Sequence, residues 1–193
     1  MRLFLCEKPS LARAIAACLE GEAKTILYKK RPTHIVCTPM ARGTKSVAPQ
    51  VVTWCFGHML EMAPPEHYHP DWKCWRLETL PIIPEKFGLK PIADSKDRFD
   101  LLKKLLVRKD VDQVINACDA GREGELIFRY IVDATGCKKP IKRLWLQSMT
   151  PQAIRDGFDH LRSDAQMQGL AHAARSRSEA DWLVGINGTR AMT

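Results

Sequence analysis

"VDQVINACDAGREGELIFRYI", residues 111–131, decides the fold. Its first part, Val111 to Cys118, is a short apolar run of the kind that forms a strand buried on both faces. The run stops at Asp119, and Arg122, Glu123 and Glu125 follow within six residues, interleaved with Gly121 and Gly124. Leu126, Ile127, Tyr130 and Ile131 then return at helical spacing, which predicts a helix with these side chains turned inward. A strand that ends on a carboxylate and passes at once into a helix is the repeating unit of an α/β domain with a parallel sheet.

The same unit recurs on either side. "MRLFLC" (1–6) reads as a buried strand emerging at Glu7 and Lys8, and Pro9 and Ser10 open a helix with Leu11, Ile15, Cys18 and Leu19 on one face, stopped by Gly21. "QVVTWCFGH" (50–58) is a second strand, ending at Gly57 and His58. From Asp94 or Ser95 to about Lys109, Phe99, Leu102, Leu105 and Leu106 repeat at helical spacing. "IKRLWLQS" (141–148) is the fourth strand, and "TPQAIRDGFDHL" (150–161) a helix with Thr150 as cap and Pro151 at the first helical position. Segment 22–50 suits an irregular hairpin or insertion around "TILY" and "HIVCTPM", and the proline- and aromatic-rich segment 62–94 is loop-like. This order predicts an α/β fold over residues 1–162, a mostly parallel four-stranded sheet flanked by helices. A shift near 163–170 to Arg- and Ala-rich helix marks the start of a second, helical segment over 163–193, cut off at Thr193.

A chain of 193 residues with 45% hydrophobic content buries a real core, which excludes a disordered tail. Its net charge of +8 favours polyanionic partners through counterion release. Seven cysteines lie far apart without a C-x-x-C pair, as buried thiols do in a reducing compartment. Met1 to Cys6 is too short for a signal core, so no secretory leader is expected, and no apolar run approaches the roughly 20 residues that span a bilayer. The expectation is a cytoplasmic chain with no membrane contact.

In open parallel sheets, ligands sit outside the carboxyl ends of the strands, where loops and helix amino-termini converge. Glu7 ends the first strand and Asp119 the third, and Glu123 lies on the first turn of the next helix. Three crowded carboxylates repel one another unless a cation neutralises them, and hard oxygen ligands suit magnesium. Lys8 and Arg122 supply the positive groups a phosphate needs, while Gly121 and Gly124 let backbone approach it. The segment also fits an ordinary helix start, with acids at the positive end of the dipole and an i, i+4 pair of Glu125 and Arg129.

Five stretches, "EKPSLARAIA", "VVTWCFGH", "DAGREGELIFR", "RLWLQSMTPQAI" and "SEADWLVGINGTRAMT", occur in an order that resembles the amino-terminal part of type IA DNA topoisomerases of the topoisomerase III kind. The first two-thirds looks like the Toprim domain, a Rossmann-like α/β fold shared with primases and some nucleases. The resemblance implies that Glu7 acts at the scissile phosphate, handing a proton to the leaving 3′ oxygen, and that Lys8 steadies that phosphate. Asp119 and Glu123 match the family's acidic Mg2+ motif, which departs here from Asp-x-Asp-x-Glu by having Gly121 in the middle. His58 matches a glycine-histidine motif near the active site. Arg177 and Arg190, with Arg175 and Asp181 close by, match a segment lining a groove for single-stranded DNA. Trp72 and Trp75, interleaved with Lys73 and Arg76, could stack on bases or pack in the loop.

The family's nucleophilic tyrosine falls beyond this length, and Tyr28, Tyr68 and Tyr130 do not sit in its motif. The expectation is a fragment that supplies the acidic half of a cleavage site. It would bind Mg2+ and single-stranded DNA, act with the remainder of the topoisomerase chain, and be nucleoid-associated in the cytoplasm. Two other classes stay open: a Toprim nuclease or primase-type enzyme complete without tyrosine, and a non-catalytic DNA-binding module.

Overall fold

The computed structural model describes residues 1–39 and 48–193. Along the chain it forms β1 (Arg2–Cys6), α1 (Pro9–Cys18), β2 (Glu22–Tyr28), β3 (Arg31–Thr38), β4 (Gln50–Trp54), β5 (Leu60–Met62), β6 (Leu89–Pro91), α2 (Lys96–Leu106), β7 (Gln113–Ala117), α3 (Arg122–Thr135), β8 (Ile141–Arg143), α4 (Pro151–Asp159), β9 (Arg162–Ser163) and α5 (Asp164–Met192).

Seven strands form one sheet in the order β2-β3-β4-β1-β7-β8-β9, and β5 and β6 pair separately. The four predicted strands are its centre: β1 pairs parallel with β4 and with β7, and β7 pairs parallel with β8. The expected four-stranded sheet is thus extended to seven. The 22–38 segment adds β3 and β2 antiparallel to the β4 edge, and β9 adds antiparallel to β8 at the other. Residues 40–47 of the expected insertion, including the end of "HIVCTPM", lie outside the described residues. The fourth strand is shorter than its sequence pattern, because pairing stops at Arg143.

Alternation along β1 divides the core. Leu3 and Leu5 pack on one face with Leu102, Leu106, Phe128 and Ile131 from α2 and α3. Phe4 and Cys6 pack on the other with Leu11, Ile15 and Ile154 from α1 and α4. Because both faces are covered, the central strands read as continuous apolar runs. Thr150 caps α4 as expected, its side chain accepting from the Ala153 amide.

Segment 62–94 is largely irregular, with short 3-10 turns at 65–67, 70–73 and 77–79. The turn joining β2 to β3 is tighter than expected. Lys29 and Lys30 have φ of 49° and 62°, and Tyr28 pairs with Arg31. Two-residue turns of this hand favour Asn-Gly, and an L-residue in the left-handed region costs about 1–2 kcal/mol.

Helix α5 is a single 29-residue helix, opened by a capping box between Ser163 and Gln166. Its first half lies on α3, burying Met167, Ala171 and Ala174. Tyr130 is buried as expected and donates its hydroxyl to Ser178 Oγ at 3.0 Å. Four of the cysteines, Cys6, Cys37, Cys55 and Cys118, are buried free thiols, whereas Cys74 is exposed. No helix among the described residues is long and apolar enough to cross a membrane.

Candidate metal and phosphate site

Parallel register brings the first and third strand ends side by side, with Cys6 opposite Ala117. One step further on, Glu7 and Lys8 leave β1 beside Cys118 and Asp119 leaving β7. Lys8 Nζ donates to Asp119 Oδ2 at 2.6 Å and lies 3.8 Å from Glu7 Oε1. The ammonium therefore bridges two carboxylates from residues more than a hundred positions apart. Its hydrogen bond to Asp119, then the charges of Asp119 and Glu7, raise the Lys8 pKa above its ordinary value.

The second strand end joins the same edge. The Cys55 amide donates to Cys6 O at 2.9 Å and the Gly57 amide to Glu7 O at 3.5 Å. This sets His58 beside α3, where Nε2 lies 3.3 Å from Glu123 Oε2. Glu123 and Arg122 are exposed on the first turn of α3. The sequence-predicted residues thus form two groups, a trio of Lys8, Glu7 and Asp119 and a pair of His58 and Glu123.

The backbone between Asp119 and α3 accounts for two glycines. Gly121 has φ 150° and ψ −178°, a conformation essentially restricted to glycine, so an aspartate at the motif's middle position is strained in this loop. A Cβ on Gly124 would stand 2.1 Å from Asp119 O. The loop is wound that tightly against its helix.

Beneath it lies a network that sequence reasoning missed. Arg143, 1% exposed at the end of β8, donates from Nη1 to Cys118 O at 2.7 Å and to Asn116 Oδ1 at 3.0 Å. Its Nη2 donates to Asp119 O at 2.8 Å. Glu125 is fully buried, accepting from Asn116 Nδ2 at 2.9 Å and Arg129 Nε at 2.8 Å, with Arg143 Nε at 3.6 Å. The expected Glu125–Arg129 pair is present, and Glu125 is committed to this interior network. Burial lowers the Arg143 pKa, with Cys118 and Glu125 acting in the opposite direction. The one signal in sequence was an arginine set inside the apolar run "IKRLWL", which demands a buried partner.

Among the described residues, no group of three or more His, Cys, Asp and Glu side chains is gathered closely enough to hold a metal ion. Magnesium asks for less, because it keeps several waters and binds through one or two carboxylates plus phosphate oxygens. Asp119 and Glu123 fit that demand as hard, partly exposed oxygen donors, with side chains 44% and 70% exposed. Glu7 Oε2 is buried without a hydrogen-bond partner, so this carboxylate retains an uncommitted acceptor at the crevice.

The remaining expectations divide. Arg177 is exposed on α5, paired loosely with Asp181 at 3.5 Å. Arg175 pairs with Asp133 on α3. Arg190 is turned inward: it is 7% exposed, donates to Cys74 O at 3.3 Å and lies 5.5 Å from the Trp75 ring. Trp72 packs with Tyr68 and His69, while Trp75 stays exposed. An open cleft lined by His58, Leu60, Met62, Tyr130, Ser178 and Trp182 runs from the His58 side of the site along α5.

An α/β sheet with acids converging at the carboxyl ends of its parallel strands defines a class, and residues 2–149 match the family model described as Toprim domain. The chain belongs to the Toprim domain family. It is 44% identical over 191 residues to DNA topoisomerase 3 of Bacillus subtilis (strain 168), an alignment covering 99% of this chain and 24% of that protein. It is 45% identical over 191 residues to DNA topoisomerase 3 of Staphylococcus epidermidis (strain ATCC 12228 / FDA PCI 1200), covering 99% and 25%. The chain thus spans about a quarter of the length of these curated relatives. Among solved structures, full-length topoisomerase I from Thermotoga maritima aligns with a TM-score of 0.48 and 19% identity, over 83% of this chain and 21% of that one.

Proposed function

We propose that this chain supplies the acidic half of the cleavage and religation site of a type IA, topoisomerase III-like DNA topoisomerase. The observation that carries the reading is the Lys8 bridge between Glu7 and Asp119 at the ends of adjacent parallel strands. In this reading Lys8 binds the scissile phosphate, which replaces one of the carboxylates as its anionic partner. Glu7, with its uncommitted Oε2, is the group that returns a proton to the leaving 3′ oxygen. Asp119 and Glu123 are the residues that hold Mg2+, with Glu7 at its margin and His58 orienting the Glu123 carboxylate. When bound, Mg2+ supplies positive charge against the phosphate oxygens.

Arg122 on the first turn of α3 and Arg177 on α5 provide further phosphate contacts to a single strand. The inward-facing Arg190 is left out of this assignment. The nucleophile is assigned to a tyrosine outside this chain: Tyr130 is committed to Ser178, Tyr68 packs against Trp182, and Tyr28 sits on β2, three strands away from β1 in the sheet. In the same reading, residues 1–162 are the Toprim unit and α5 begins the segment that lines the DNA groove.

The test is relaxation of negatively supercoiled plasmid by the full-length protein with Mg2+ present. Wild type should relax it reversibly, and Glu7→Gln should lose at least about 100-fold in cleavage with an unchanged thermal midpoint. Irreversible degradation of DNA by the chain alone would replace this reading with a nuclease. Full activity of Glu7→Gln would remove Glu7 from the chemistry.

A further inference from the structure

The β2–β3 hairpin is not part of the site described above, yet it ends at the same edge of the sheet. Because β3 runs antiparallel to both β2 and β4, its turn lies at the end where β4 and β1 finish. His34 pairs with Thr53, and Thr53 with Leu5. Counting three residues onward from each end of that row sets Arg31 level with Lys8. The lateral offset is two to three strand spacings, about 10–14 Å.

Lys29, Lys30 and Arg31 are consecutive and exposed, and no acid pairs with them among the described residues. Leu27 and Tyr28 beside them are 60% and 65% exposed, after a register shift between Ile26 and Leu27. The Lys29 ammonium lies 5.5 Å from the Tyr28 ring. Both turn lysines adopt the left-handed conformation that asparagine and glycine occupy at lower strain. Two cations thus stand in strained backbone at a turn where Asn-Gly would be relaxed, and such strain clusters at functional sites.

We infer that the Tyr28–Arg31 tip is a second nucleic-acid contact, gripping the phosphate backbone of the DNA strand that leaves the Lys8 crevice across β4. The three cations neutralise phosphates, and the exposed Tyr28 ring offers a face on which a base can stack. This inference rests on the DNA reading above and adds a contact site to it.

The test is fluorescence anisotropy with a labelled single-stranded oligonucleotide and its duplex, over a salt series, using wild type and the Lys29→Asn/Lys30→Gly variant. The variant should bind the single strand roughly 25-fold more weakly at about 0.1 M salt, with the slope of log K against log salt shallower by about 1.4. Its thermal midpoint should be equal or higher, since Asn-Gly suits the turn. Tyr28→Ala, which keeps the charges, should weaken single-strand binding with an unchanged salt slope. Equal affinity and slope in wild type and the double variant would overturn the inference while leaving the DNA reading intact. Failure of wild type to bind either oligonucleotide would overturn both. Loss in the double variant of binding to phosphatidylserine vesicles, with oligonucleotide binding unchanged, would assign the tip to a membrane surface and overturn it as well.

Discussion

Asp119 stands where β7 runs out, with its carboxylate on Lys8 and its carbonyl oxygen held by Arg143. The two ends of the residue do different work. The carbonyl is part of the scaffold, and among the described residues the side chain holds only the half-exposed Lys8 ammonium. Asp119→Asn keeps the volume and the backbone contact while removing one unit of negative charge from the proposed Mg2+ donors. Calorimetric titration should show Mg2+ affinity lower by about tenfold, or about 1.4 kcal/mol. Unchanged affinity would place the metal elsewhere. Glu125, two residues beyond Glu123, could not be assigned from sequence, because carboxylates at helix positions two apart look alike in a string of letters. Their fates differ by helix face: Glu123 is exposed beside His58, and Glu125 is buried on Asn116 and Arg129.

At the scale of elements, the site is a junction of three strand ends and one helix start. β1 carries Glu7, β7 carries Asp119, and the loop after β4 carries His58. The short β8 contributes no group to the crevice, but its Arg143 ties the carbonyls of Asn116, Cys118 and Asp119 together from below. Removing one partner of a buried ion network leaves the others uncompensated. Arg143→Met should therefore destabilise the chain by about 3–5 kcal/mol in urea denaturation. Adding Glu125→Gln should cost less than the sum of the two single changes, since both draw on one network. A loss below about 1 kcal/mol for Arg143→Met would mean that the loop holds its shape without the clamp. The strands themselves were legible as apolar runs. The clamp was not, because a lone arginine in a strand does not announce which carbonyls it will reach.

Across the whole molecule, α5 is the element on which the expected division at residues 162/163 turns. The composition change near 163 falls beside the start of α5 at Asp164. Yet its first half packs on α3, β8 and β9 and buries Met167, Ala171 and Ala174, and Arg129 reaches Asp164 at 2.7 Å. Ending the chain at residue 162 should expose that face and lower stability by at least about 2 kcal/mol, seen as a thermal midpoint about 4–8 °C lower. An equal midpoint would make α5 an independent unit. The second half of α5 reaches segment 74–82, where Asn187 accepts from the Ile82 amide at 2.6 Å and Arg190 meets Cys74. That contact turns Arg190 away from solvent.

By itself the sequence determined the alternation of parallel strands and helices and the carboxylates at the strand ends. Those features are encoded locally, in apolar runs, helical spacing and the residue that ends each run. Only the tertiary structure decided which strands are neighbours, that Lys8 bridges Glu7 and Asp119, that Arg143 clamps the loop from beneath, and that the basic hairpin tip shares the site's edge. Each of these depends on register between segments that lie far apart along the chain. A pattern read along one segment carries no record of what it will pack against.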